Sequence, residues 1–151
     1  MIHFQNKSKE QLRTYYPLMR KILTRILLDN DLNPGVHQIT ILFSTDTEIT
    51  QLNFAYRQIN GPTDVLAFPA NEVEPETGLR YLGDIVISMN QVKKQQELFL
   101  DEKVSILILL VIHGTLHLLG YDHGTRVEKE KMWRQQSRYL SEYNISVQIQ
   151  D

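Results

Sequence analysis

Apolar residues recur along this chain with two periods, and the switches between them set the expected elements. Leu12, Tyr15, Tyr16, Met19, Ile22, Leu23, Ile26 and Leu27 stand three or four apart, which predicts an amphipathic helix. Asn33-Pro34-Gly35 closes it as a turn. Val36, Ile39, Ile41 and Phe43 predict a strand over Val36–Phe43. Thr45, with Glu48 three residues on, is a capping box opening a helix that carries Ile49, Leu52, Phe54 and Tyr56. Gly61-Pro62 breaks that helix. Asp64–Pro69 reads as a short strand, its proline placing the end at a sheet edge or exit. Residues 70–79, with Asn, Glu, Pro and Gly, read as a loop, and Leu82–Ile87 as the next strand. Ser88 is the expected cap of a helix to about Leu100, and Asp101 that of a long helix through Leu119. A last helix is expected over about Val127–Tyr143, and a short strand at Ile2–Phe4.

The most apolar run, Val104–Ile112, is too short for a membrane span, which needs roughly 20 apolar residues. We read it as the buried helix of a soluble protein. Strands interleaved with helices in this order predict an α/β or α+β layer fold. The 151 residues suit one domain, expected over 1–151, and no repeat, low-complexity tract, linker or signal peptide interrupts it.

Charge and composition narrow the function. The net charge is −2, which excludes nucleic-acid binding by bulk positive charge, so a polyanion must be held by a local patch. Residues 1–28 carry six basic side chains against Glu10 alone, a local +5, leaving about −7 for the remainder. This basic helix is either an RNA-backbone contact or a solvated face. Hydrophobic residues at 42% and charged residues at 23% are values of a folded chain. With no cysteine, disulfide scaffolds, thiolate zinc fingers and cysteine nucleophiles are excluded, and any metal must use His, Asp or Glu. The lack of disulfides is in keeping with a reducing cytosol.

Three of the five histidines fall in one short segment, His113-Gly-Thr-Leu-His117-Leu-Leu-Gly120-Tyr-Asp-His123. At about 100° per residue, four steps return to within ~40° of the start, so His113 and His117 share a helix face. Six more steps leave His123 about 120° away on a continuous helix. Gly120 lies between, and glycine ends helices in a left-handed turn. A helix stopping there lets the chain fold back and bring His123 to the other two. Three neutral imidazoles make an open zinc site with a fourth position for water, whose pKa the metal lowers to about 7. The spacing is that of the metzincin motif H-E-x-x-H-x-x-G-x-x-H, but Gly114 replaces the glutamate that is the protease's general base. Without a carboxylate or thiolate ligand, the centre keeps a full +2 charge and favours an anion such as a phosphodiester. A closed structural zinc site, or plain helix-turn histidines, are the duller alternatives.

This segment, HGTLHLLGYDH, resembles the signature of the YbeY family of bacterial endoribonucleases that mature ribosomal RNA. Leu52-Asn-Phe-Ala-Tyr56-Arg57, Thr63-Asp64-Val-Leu-Ala-Phe-Pro69 and Leu82-Gly-Asp84-Ile-Val-Ile-Ser88 agree in the same order, over roughly residues 40–135. Ala67 departs from the serine usual in the family. The resemblance implies an α+β fold with a zincin-like core, a small mixed sheet of about four strands, and a central buried helix carrying the histidines. It implies one zinc ion held by His113, His117 and His123, with Arg57 as the functional basic residue. It implies a cytoplasmic enzyme acting on single-stranded RNA in small-subunit rRNA 3′-end processing and ribosome quality control. Its partners would be ribosomal RNA and the small ribosomal subunit with its proteins, with no membrane.

Arg57 is either a bidentate phosphate clamp that also stabilises charge in the transition state, or a salt-bridged cation at a helix C-terminus. Asp122 either orients a ligand imidazole, helps to move a proton, or merely shapes a turn. Asp84 is a candidate cleft residue for substrate binding, and Asp64 reads as a turn or strand-start cap. Tyr15, Tyr16 and Trp133 could stack on bases or fill core. Met132 has only a weak likeness to the methionine that follows the metzincin site. The expected mechanism is attack by zinc-activated water on phosphorus, with internal attack by a 2′-hydroxyl as an alternative that leaves different product ends. The rival functions are a zinc metalloprotease, against which Gly114 stands, and a ribosome-assembly factor that binds RNA and proteins with little catalysis.

Overall fold

In the computed structural model, which describes residues 1–148, four strands and five α-helices build an α+β fold. The last three residues of the domain expected over 1–151 lie outside the described residues. The strands are β1 (Ile2–Asn6), β2 (His37–Ser44), β3 (Val65–Val73) and β4 (Arg80–Ser88). The helices are α1 (Tyr16–Asp29), α2 (Asp46–Arg57), α3 (Met89–Phe99), α4 (Lys103–Leu118) and α5 (Arg126–Glu142). The sheet order is β1-β2-β4-β3, with β1, β2 and β4 parallel and β3 antiparallel on the edge. This is the mixed four-stranded sheet that the family resemblance implied.

Period-two alternation assigns the two faces of the sheet. Ile39, Ile41 and Phe43 of β2 and Ile85 and Ile87 of β4 point into the main core with α1 and α4. Val86 of β4 and Leu66 of β3 point the other way, against Ile49 of α2. The apolar run of α4 is buried almost all round, Ser105–Ile112 without a break. Helix α4 packs against β3, β4, α1, α3 and α5, so it is the central element of the fold. Burying a Leu or Ile side chain stabilises by about 1.5–3 kcal/mol, and this helix supplies seven consecutive buried apolar positions, Ile106–Ile112.

Several boundaries differ from expectation for identifiable reasons. Strand β3 continues past Pro69 to Val73, so only residues 74–79 remain as a turn. The ladder resumes beyond a bulge between Pro69 and Glu72, where Asn71 takes φ +51°. A proline lacks the N–H that an inner strand must donate, and an edge strand with a bulge tolerates it. Helix α2 stops at Arg57, before Gly61-Pro62, because Gln58 already turns left-handed at φ +56°. Asp101 does not cap α4. Its carboxylate instead accepts the Gln148 backbone N–H at 2.9 and 3.0 Å, tying down the C-terminal segment. The Thr45 and Ser88 caps form as expected.

Helix α1 begins only at Tyr16, with Pro17 in its first turn and Leu12 buried ahead of it. Its C-terminal Asp29 joins α1 to α5, accepting from the Tyr139 hydroxyl and Arg138 at 2.7 Å each and from Arg25 at 3.0 Å. These bonds, that from Tyr139 foremost, hold the Asp29 carboxyl below its ordinary pKa. A depressed folded pKa stabilises the fold above the unfolded value near 3.8, and the contribution disappears as pH falls through the folded value.

Gly83 is the backbone position with least latitude. It sits buried in β4 at φ +141°, and a Cβ there would collide with the Phe68 carbonyl oxygen and lie 2.9 Å from Leu118 Cδ2. Gly83→Ala therefore lowers stability by about 2–4 kcal/mol, from backbone strain plus overpacking. A melting temperature within a degree of the native protein would contradict this.

Candidate metal centre

The site forms where α4 ends. Gly120 takes φ +98°, the Gly120 N–H donates to His117 O, and the Tyr121 N–H to Leu116 O, both at 3.0 Å. This 5→2 and 6→1 pair is the Schellman motif, which caps the last carbonyls and reverses the chain. The reversal carries His123 back to His113 and His117. Their ligand atoms all lie within 4.8 Å of one another, and the Nε2 atoms of His113 and His117 are 3.1 Å apart. Two nitrogens bound at 2.0–2.1 Å to one tetrahedral ion are separated by about 3.3 Å, so this pair already stands near ligand spacing. The chemistry of the donor set fits a metal ion.

Electrostatics favour the ligand form. Burial, helped by the neighbouring rings of His113 and His123, pushes the His117 imidazole down to about 4. His117 is therefore uncharged at any working pH, as a metal ligand must be. The Asp122 carboxylate and a backbone hydrogen bond with Tyr121 partly oppose the shift. Asp122 Oδ1 also accepts the His123 backbone N–H at 2.7 Å, which holds the loop beside its third ring.

The three histidines line a cleft of about 680 Å³ between β3, the end of α2, and α5. Arg57 and Asp122 line it too, as do Asp64, Ala67 and Met132. Arg57 is exposed and joins no ion pair among the described residues. Asp84 is not brought to this cleft. It lies on the α2 face of the sheet, in a separate cavity of about 420 Å³, and accepts the Tyr81 hydroxyl. Among the described residues, no basic side chain of the N-terminal segment lines the metal cleft. Arg20 lies over the Phe4 ring, and Phe4, Tyr16 and Phe43 form a cluster of near-parallel rings.

Two cleft residues, Lys129 and Gln136, were not singled out by the sequence, whereas Trp133 was, as a candidate base-stacking ring. Lys129 and Trp133 stand one turn apart on α5, Trp133 with 46% of its surface exposed. Gln136 follows, 2% exposed, with Oε1 against His113 Nδ1. Its signal is a polar residue in the buried stripe Met132, Gln136, Tyr139 and Leu140.

Gly114 occupies the place of the metzincin glutamate for a packing reason. A Cβ there would lie 2.7 Å from Ile85 Cγ2, so the close approach of α4 to β4 leaves no room for a side chain. The acid-base group of a protease could stand at this position only by displacing Ile85.

Fold and site thus define an α+β scaffold with a histidine triad able to bind a metal ion. The family model described as Endoribonuclease YbeY matches residues 1–144, and the chain belongs to that family. Endoribonuclease YbeY of Halalkalibacterium halodurans is 36% identical over 137 residues, covering 85% of this chain and 86% of its own. That of Persephonella marina is 44% identical over 113 residues, covering 74% and 69%. That of Bacillus cereus strain G9842 is 31% identical over 152 residues, covering 96% and 97%. The solution structure of a Thermotoga maritima protein superposes with a TM-score of 0.60 at 26% identity, over 95% of this chain and 92% of that one.

In metal-free protein the His117 ring should titrate with a midpoint near 4 by NMR. Below about 6.5 the unfolded chain takes a proton that the folded ring refuses, so the metal-free fold loses stability from there down to about 4. A midpoint at 6 or above would contradict this burial.

Proposed function

We propose that this protein is a cytoplasmic, zinc-dependent endoribonuclease that cleaves single-stranded RNA in the maturation of small-subunit ribosomal RNA. Ribosomal RNA and the small subunit with its proteins are its partners on this reading. One observation carries the proposal. Three imidazoles converge in a cleft that also holds Arg57 and Lys129, neither in an ion pair among the described residues, and the exposed rings of Tyr56 and Trp133. No helix among the described residues is long and apolar enough to cross a membrane.

Each group has a role suited to its chemistry. His113, His117 and His123 hold the cation without adding negative charge, which favours an anionic substrate. When bound, the cation supplies Lewis acidity toward water and a phosphoryl oxygen. Arg57 presents a planar fork that binds two phosphate oxygens and stabilises charge that grows on them. Lys129 is a second cation for the neighbouring phosphate. Asp122 has Oδ1 engaged by the His123 amide, so Oδ2 is its acceptor for a proton. Trp133 and Tyr56 offer faces to unpaired bases, which only a single strand can present. Asp84, on the other face of the sheet, would contact substrate only through RNA extending beyond the cleft.

Cleavage of a single-stranded RNA oligonucleotide tests the reading. His113→Ala and His117→Ala abolish cleavage, and Arg57→Ala lowers kcat about 10²–10³-fold with the fold intact. Trp133→Ala raises KM about tenfold, the equivalent of one lost base stack. Retained cleavage in His117→Ala, or equal cleavage of duplex RNA, would overturn the proposal. The chemistry of the new ends separates attack by water from attack by the 2′-hydroxyl.

A further inference from the structure

We propose that Gln136 is the positioning residue of the metal centre, holding His113 in the one neutral tautomer that presents a bare Nε2 to the cation. The inference rests on the metal-site reading and extends it to a residue on a different helix.

Gln136 lies in the stripe of α5 that packs inward with Met132, Tyr139 and Leu140, and is 2% exposed. Packing alone would be served there by leucine or methionine. A buried carboxamide destabilises the fold unless its polar atoms find partners. Its Oε1 faces His113 Nδ1. A carbonyl oxygen only accepts, so Nδ1 must carry the ring proton and Nε2 must keep its lone pair. Nε2 is the atom directed at the cluster, 3.1 Å from His117 Nε2. With the amide turned over, its NH₂ would donate to Nδ1, and the proton would move to Nε2 and block the site. Orienting partners of this kind fix the tautomer and direction of ligand imidazoles. A carboxylate would do the same with a negative charge, whereas a carboxamide leaves the centre its full positive charge for an anionic substrate.

Nitrogen-15 NMR of metal-free native protein reads the tautomer directly. We expect His113 Nδ1 protonated and Nε2 bare, and an Nε2–H tautomer would overturn the proposal without any variant. Competition titration with zinc alone gives the second readout. Gln136→Leu weakens zinc binding about 10–100-fold. Gln136→Glu keeps an acceptor and binds zinc at least as tightly as the native protein. Native-like affinity in a folded Gln136→Leu, or an equal loss in both variants, overturns the role. If Gln136→Leu does not fold, the native tautomer and Gln136→Glu still decide. Native zinc affinity in His113→Ala would instead sink the metal-site reading itself.

Discussion

A helix enclosed by apolar side chains can expose chemistry only at its end, and α4 is such a helix. The histidine cluster follows from how that end is made. The left-handed turn at Gly120 caps the last carbonyls, reverses the chain and returns His123 to the face shared by His113 and His117. The rigid part of the site is thus anchored in the best-packed element of the core, and the third ring arrives on a short loop fixed by Asp122. A residue with a side chain at position 120 would meet no neighbour within 4 Å, so the glycine is required by its backbone angle and not by space.

The same tight packing sets the chemistry by exclusion. Because α4 lies close to β4, Gly114 cannot be replaced by an acidic residue without displacing Ile85. The scaffold therefore has the ligand spacing of a protease and lacks its general base. What surrounds the histidines instead is a mixed wall of cations, aromatic rings and two loop carboxylates, Asp64 and Asp122, gathered from α2, β3, α5 and the loops beside them. On our account this wall selects a flexible polyanion with unpaired bases. The contacts of α5 go beyond lining the cleft, since Gln136 reaches from it to the His113 ring on α4.

Much of this was legible in the sequence. The apolar periods gave every helix and strand within a few residues, because helix faces and sheet alternation are local signals. The histidine spacing with its intervening glycine foretold the convergence, since helix geometry and left-handed capping are both written locally. What was not legible depends on contacts between distant segments. The extension of β3 beyond Pro69 requires its pairing with β4 and a bulge. The occupation of Asp101 by Gln148 depends on where the C-terminal segment lies. Asp84 shared a motif with residues near the cleft, yet strand alternation sends its side chain to the opposite face of the sheet from Ile85. Gln136 was hidden because one glutamine in an amphipathic stripe gains meaning only when a histidine stands opposite.

The central claim is that three imidazoles from one helix end hold a single metal ion and leave a position open. X-ray absorption spectroscopy of the protein loaded with one equivalent of zinc tests it most directly. The account predicts three imidazole nitrogens at about 2.0–2.1 Å with a light oxygen donor completing the shell. A shell closed by four protein donors, or one with fewer than three imidazoles, would contradict it.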